Sequence, residues 1–214
     1  MKGVLINTLW PTTLVKIVNP DHTKIKKNLL SFFDKYIKKN TTEYKSGNAG
    51  ENFLVYESLH NLQKEDDKSC KELMTFISQS FLTASNIANK KDLEKVINPI
   101  FDVQINGAWF MKYKKGGFVL PHAHGSCSWS CVYYVQVDGN IKDKQGSTYF
   151  MKPTTKNSTN DFGSRHNAYE NVRYKPEEGS IILWPSHINH GSIPYYGDIN
   201  RIVVSANALI NLVK

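Results

Sequence analysis

Phe118-Val119-Leu120-Pro121-His122-Ala123-His124 carries two imidazoles at i and i+2. In an extended strand these side chains emerge on the same face, because successive residues alternate sides. His190 follows much later, with Arg201 beyond it. Two ring nitrogens from one strand and a third from a distant strand can close one face of a six-coordinate metal ion. The reading requires that the surrounding chain be β-rich, so that distant strands lie side by side.

The residues around that stretch have the required pattern. Short β-type runs cover 101–113, 117–123, 128–137, 147–151, 180–184 and 201–209,. Gly116-Gly117, Asp138-Gly139-Asn140 and Glu178-Gly179 mark turns between them,. This spacing predicts a mostly β protein with flanking helices (α+β), its core a double-stranded β-helix of the jelly-roll or cupin-like type. The N-terminal part follows a different period. After two β-type runs, Val4-Leu5-Ile6 and Leu14-Val15-Lys16-Ile17, helical spacing of Ile25, Leu29, Leu30, Phe32, Phe33 and Ile37 predicts a helix from an Asp21 N-cap to about Lys39,. Residues 40–52 read as a polar loop, and Leu73, Phe76, Ile77, Phe81, Leu82 and Ile87 mark a second helix from about Lys68 to Asn89,. The long polar stretch Pro153 to Asn171 reads either as a flap that would bring Arg165 or His166 to a pocket mouth or as a solvent-exposed insert without a role,. A chain of 214 residues can bury one sizeable core,. One domain over 1–214 is therefore expected, with a helical support region in 1–100 and the jelly-roll core in 101–214.

The formal charge is +8, but Lys and Arg exceed Asp and Glu by four in residues 1–100 and by four in 101–214. A diffuse excess of this kind makes solvated faces, and with no repeat of Arg and aromatic residues it argues against a nucleic-acid partner. Cys70, Cys127 and Cys131 are an odd number without a CxxC pair, which predicts neither a disulfide framework nor a zinc knuckle and fits a reducing, cytoplasmic setting,. The apolar run after Met1 is too short for a signal peptide, and no later run is long enough for a spanning helix,.

Five of the seven histidines lie in the C-terminal half. His122, His124 and His190 are the metal-ligand candidates, while His166 and His187 are candidates for lining a pocket. With three protein ligands on one face, three positions stay open, enough for a keto acid to take two and dioxygen the third. Arg201 suits the far carboxylate of such a keto acid, since a planar guanidinium matches a carboxylate through two parallel hydrogen bonds. Ser205 and Asn207 fall at even spacing from Arg201 and so share its face of the strand,.

Several longer segments resemble a known family. Trp109 to His124, Ser130-Cys131-Val132-Tyr133-Tyr134-Val135, Lys175 to His190 and Arg201-Ile202-Val203-Val204-Ser205-Ala206-Asn207 are similar to the 2-oxoglutarate and Fe(II)-dependent oxygenases, most closely a bacterial and phage group of that family. Leu9-Trp10-Pro11-Thr12 resembles the start of the same group, and residues 40–70 match least. Prolyl hydroxylases are a more distant likeness. The resemblance implies Fe(II) held by His122 and His190, 2-oxoglutarate bound by Arg201 with Tyr134 (or Tyr133) as a neutral partner, and dioxygen as oxidant. It also implies hydroxylation of a small molecule or protein side chain, coupled to formation of succinate and carbon dioxide. His124 departs from the family, standing where many relatives have Asp or Glu.

Two other readings account for part of the pattern. A cupin-like three-His dioxygenase working without 2-oxoglutarate explains the histidines but not Arg201. A non-catalytic β-sandwich used for binding or assembly explains the fold but not the ligand spacing.

Overall fold

The computed structural model describes residues 12–40, 54–142, 144–152, 162–163 and 171–213. The Val4-Leu5-Ile6 run, nearly all of the 40–52 loop, and the expected flap with Arg165 and His166 lie outside the described residues.

Among the described residues, ten strands form two antiparallel sheets. They are β1 (Val15–Val18), β2 (Val55–Glu57), β3 (Phe101–Tyr113), β4 (Val119–His122), β5 (Trp129–Gln136), β6 (Thr148–Met151), β7 (Asn171–Tyr174), β8 (Ser180–Pro185), β9 (His190–Ser192) and β10 (Arg201–Leu212). The larger sheet runs β1-β8-β5-β10-β3-β2 and the smaller β4-β9-β6-β7. The jelly-roll expectation therefore holds, and seven of the strands match the expected runs to within a few residues. Strands β2, β7 and β9 have no counterpart among those runs. All three are short, and His190-Gly191-Ser192 has none of the β-branched or aromatic residues that signal a strand,. The N-terminal part is more than helical support, because β1 and β2 close the two edges of the larger sheet.

Helices α1 (His22–Lys39) and α2 (Lys68–Ala88) follow the expected bounds. Asp67 caps α2 by accepting from the Cys70 backbone N–H at 3.0 Å,. Asp21 stands at the N-cap position of α1 but caps nothing with its side chain; its carboxylate is drawn to Lys24 instead. The buried stripe of α2 passes through Leu73, Ile77, Phe81 and Ala84. Ile87, expected on that stripe, is solvent-exposed, because it falls to the side of the continuing 3–4 spacing,.

Alternation along the central strands makes two cores, one on each face of the larger sheet. Phe110, Tyr133, Ile181, Leu183 and Val204 pack with Leu29, Phe33 and Phe81 of the helices. Their neighbours Trp109, Tyr134, Ile182, Trp184 and Val203 face the smaller sheet. The gap between the two sheets holds the candidate site. Phe33 stacks on Phe110 with ring centroids 4.3 Å apart and an interplanar angle of 19°, joining α1 to the sheet. Phe110 is fully buried, so Phe110→Ala should cost about 3–5 kcal/mol through lost transfer energy and the cavity it leaves. Urea unfolding should show this as a lower midpoint at an unchanged slope.

Candidate metal centre

His122 ends β4 and His190 opens β9, and the two residues are direct partners across that antiparallel pair. His124 lies just beyond β4, its backbone N–H bonded to the Ser186 carbonyl at 3.0 Å. One potential ligand atom from each of the three rings lies within 4.8 Å of the others, and no acidic residue joins the group among the described residues. Strand β9 can enter this crowded corner because its second residue is Gly191. A Cβ there would stand 2.8 Å from Tyr149 Oη and 2.9 Å from the Val119 carbonyl.

Two of the rings are set by their own chain. His122 Nδ1 lies 2.9 Å from the Leu120 carbonyl and His190 Nδ1 lies 3.0 Å from the Ile188 carbonyl. A carbonyl only accepts, so both rings carry their proton on Nδ1 and leave the Nε2 lone pair free for a cation. His124 Nδ1 faces Asn207 Nδ2 at 3.4 Å.

The three rings line a cavity of about 140 Å³ together with Trp109, Tyr113, Thr148, Trp184, Arg201, Ser205 and Asn207. Arg201 opens β10 and is almost completely buried, at 1% exposure. Its Nε and Nη1 have no hydrogen-bond partner among the described residues. The guanidinium carbon lies 4.5 Å from the centre of the Tyr113 ring and 5.4 Å from that of Tyr134, so aromatic faces stabilise the charge in place of an anion. Gly146, at φ +62°, lets its loop pass close to the Tyr195 ring, where a Cβ would lie 2.9 Å from Tyr195 Cδ2, while Arg201 Cδ is an ordinary contact at 3.4 Å,.

The other candidates are distributed as follows. Ser205 and Asn207 share the cavity face with Arg201, and Asn207 sits against His124. Tyr134 is fully buried on the same side, with its hydroxyl 2.7 Å from Thr148 Oγ1. Tyr133 points the other way, toward Asn19 and His22. His187 is exposed and lines no part of this cavity. Several lining residues were not singled out from the sequence. Tyr113 was legible in principle, since it shares a strand face with Trp109 and Met111. Glu57 and His60 carried no usable signal, lying in a weakly patterned segment. Glu57 Oε1 is 2.5 Å from His60 Nε2, and His60 stacks on Trp109 at 4.1 Å and 17°.

Burial dominates the protonation of these rings. It holds His124 down at about 4 and His190 at about 3, with the neighbouring imidazoles adding to the effect. His122 is also lowered, chiefly by burial, against an opposing contribution from its bond to Leu120. Burial pushes the Tyr113 phenol up to about 12, so it stays a neutral hydroxyl. Neutral imidazoles are the form that binds metal.

A pH dependence of stability follows for the metal-free protein. Unfolded histidines take up protons near 6.5, whereas folded His124 and His190 stay neutral down to about 4 and about 3. Between those limits the unfolded state binds more protons, so stability is fully present above pH 6.5 and declines as pH falls. Denaturant midpoints between pH 7 and 4.5 should drop with acidification, and His190→Gln, which cannot take up that proton, should make the decline shallower.

Residues 107–207 match the family described as "Putative 2OG-Fe(II) oxygenase". A search of curated proteins returns no significant sequence match. Among solved structures, a prolyl-4-hydroxylase from Pseudomonas putida is similar in fold with TM-score 0.59 and 13% identity, over 93% of this chain and 94% of that one. A prolyl hydroxylase from Trichoplax adhaerens, in complex with a hypoxia inducible factor peptide fragment, gives TM-score 0.56 and 13% identity over 92% and 83%. HygX from Streptomyces hygroscopicus, with nickel and 2-oxoglutarate bound, gives TM-score 0.56 and 9% identity over 92% and 82%. The family match across the jelly-roll strands and the shared fold over nearly the whole chain bear out the resemblance to the 2-oxoglutarate and Fe(II)-dependent oxygenases.

Proposed function

We propose that the chain is an Fe(II)- and 2-oxoglutarate-dependent dioxygenase, acting as a hydroxylase on a small molecule or a protein side chain. The observation that carries this reading is Arg201. A buried guanidinium without a counter-ion costs several kcal/mol, and this one shares a cavity with three convergent imidazoles. A dicarboxylate reaching from the imidazoles to the guanidinium satisfies both ends.

The residues present fit such a pair of ligands. His122, His124 and His190 would hold the metal, and Arg201 would take the distal carboxylate of the keto acid. When bound, Fe(II), 2-oxoglutarate and dioxygen supply oxidative decarboxylation to succinate and carbon dioxide, coupled to oxidation of the substrate. The chain's own part is to bind, orient and exclude water. Tyr113 and Tyr134 fix the guanidinium plane between their rings. Thr148 and Ser205 line the cavity as neutral hydroxyls, and Tyr134 stands behind Thr148, bonded to its Oγ1. Trp109 and Trp184, both nearly buried, keep the cavity walls apolar. Three neutral imidazoles leave the charge of the metal uncompensated, so the dianionic keto acid becomes its main counter-charge, with the Glu57 carboxylate as the one acid among the residues lining this cavity. On this reading residues 1–214 work as one domain, the helical layer bracing the sheet that carries the site. The nickel- and 2-oxoglutarate-bound state of HygX, similar in fold, supports the choice of ligands.

Arg201→Lys tests the role of the guanidinium, since it preserves the charge and removes the paired donors. Loss of a charge-assisted hydrogen bond of about 1.5–3 kcal/mol should weaken 2-oxoglutarate binding by about tenfold or more in anaerobic calorimetry, with metal affinity unchanged. Equal affinity in the variant contradicts the assignment. Stripping the metal with a chelator should abolish succinate formation, and Fe(II) should restore it.

A further inference from the structure

The three imidazoles are not held alike. His122 and His190 each donate Nδ1–H to a backbone carbonyl, which presets Nε2 as a ligand. His124 meets a side-chain amide instead. Asn207 Nδ2 donates toward His124 Nδ1 at 3.4 Å, while Asn207 Oδ1 accepts from Ser130 Oγ at 2.8 Å. In this orientation His124 Nδ1 is an acceptor, the ring proton resides on Nε2, and Nε2 has no lone pair for a cation.

From these contacts we infer that Asn207 is the positioning residue for the third ligand, and that turning its carboxamide by 180° switches His124 from a closed to a metal-ready tautomer. The inference rests on the three-His reading of the site. After the turn, Asn207 Oδ1 accepts Nδ1–H from His124, which frees Nε2, and Asn207 Nδ2 donates to Ser130 Oγ. The surroundings permit the turn because, among the described residues, the hydrogen-bonded chain behind the amide is built of hydroxyls and a thiol. Ser130 Oγ lies 3.0 Å from Ser186 Oγ, which lies 3.0 Å from Cys127 Sγ. Each hydroxyl both donates and accepts, so the direction of the whole chain reverses without leaving a buried group unpaired. Before the turn donation runs from Cys127 through Ser186 and Ser130 to Asn207 and His124; afterwards it runs from His124 outward to Cys127. Ser186 is tied to His124 a second way, since its carbonyl accepts the His124 backbone N–H at 3.0 Å. Ring and amide therefore share one support. A backbone carbonyl at this position would have made the metal-ready form permanent, as at the other two ligands. The amide makes it conditional on the ion.

The test uses the full chain freed of metal, with Asn207→Asp and Asn207→Leu. Long-range ¹⁵N–¹H spectra read the tautomer of each ring without any ion. Wild type should show His124 protonated on Nε2 and His122 and His190 on Nδ1. Asn207→Asp, whose carboxylate can only accept, should move the His124 proton to Nδ1. Co²⁺ affinity by chelator competition gives the second readout. Asn207→Leu should lose about 10–100-fold, the usual scale for removing a ligand's supporting partner, while Asn207→Asp should bind at least as tightly as wild type. Ser130→Ala, which leaves the amide in place and removes its hydroxyl partner, should weaken Co²⁺ in the same direction and keeps the test open if Asn207→Leu fails to fold. Nδ1 protonation of His124 in metal-free wild type, or Co²⁺ affinity indifferent to all three variants, overturns the inference and leaves the three-His site standing. Loss of 2-oxoglutarate affinity in Asn207→Leu at saturating Co²⁺, with Co²⁺ affinity intact, overturns it too by making Asn207 a contact of the keto acid. Absence of any Co²⁺ binding that depends on His122 and His190 overturns the site reading and the inference together.

Discussion

Strand β10 is hydrogen-bonded along both edges, to β3 on one side and β5 on the other, and its period of two decides what each face of the larger sheet does. Ile202, Val204, Ala206 and Ala208 enter the helix-side core. Arg201, Val203, Ser205 and Asn207 turn to the space between the sheets. A slip of one residue would exchange these sets, burying Arg201 and Asn207 against Phe33 and Leu73 and removing from the cavity every polar side chain that β10 supplies. Pairing on both edges prevents that slip. Against β3 the register shifts only between Asn207 and Ala208, after the last cavity residue, so Arg201, Ser205 and Asn207 keep one alignment with that strand; against β5 the register shifts between Ile202 and Val203.

The same strand explains the electrostatic character of the site. Arg201 is carried inward by alternation into a place where, among the described residues, neither Asp nor Glu pairs with it, and two tyrosine rings stand in for a counter-ion. A buried cation beside three neutral imidazoles, with Glu57 the one acid among the lining residues, makes a cavity suited to an anion with two separated acceptor ends. Specificity for such an anion is thereby written in what the pocket lacks as much as in what it contains. On the proposed reading, with His124 where an acidic ligand would supply a fixed charge, metal and keto acid would depend on each other more closely than in a site with its own carboxylate.

The parts of this arrangement that follow from local pattern were legible in the sequence. The i, i+2 spacing of His122 and His124, the even spacing of Arg201, Ser205 and Asn207, and the long periodic helices are all short-range signals. Much of the rest depends on contacts between segments far apart in the chain. Glu57 reaches the cavity only because β2 joins the far edge of the larger sheet, and three residues of strand in a polar region carry almost no periodicity. Strand β9 has a sequence of His, Gly and Ser and exists because β4 and β6 offer it edges on both sides, not because its residues favour extension. Which of Tyr133 and Tyr134 turns to the inter-sheet space is a matter of parity: adjacent tyrosines must face opposite ways, and only the register with β10 and β8 says which one lies on the side of the three imidazoles. Tyr113 needed the same register on β3.

The central claim is that the three imidazoles and Arg201 are two ends of one ligand site. Anaerobic titration of the metal-stripped protein with Fe(II) and then 2-oxoglutarate tests it most directly, because a keto acid chelating Fe(II) produces a visible metal-to-ligand charge-transfer band. The account predicts that the band appears only with both ligands, saturates at one equivalent of iron, and disappears in His190→Ala. No band in the wild-type protein, or a band that persists without His190, would contradict it.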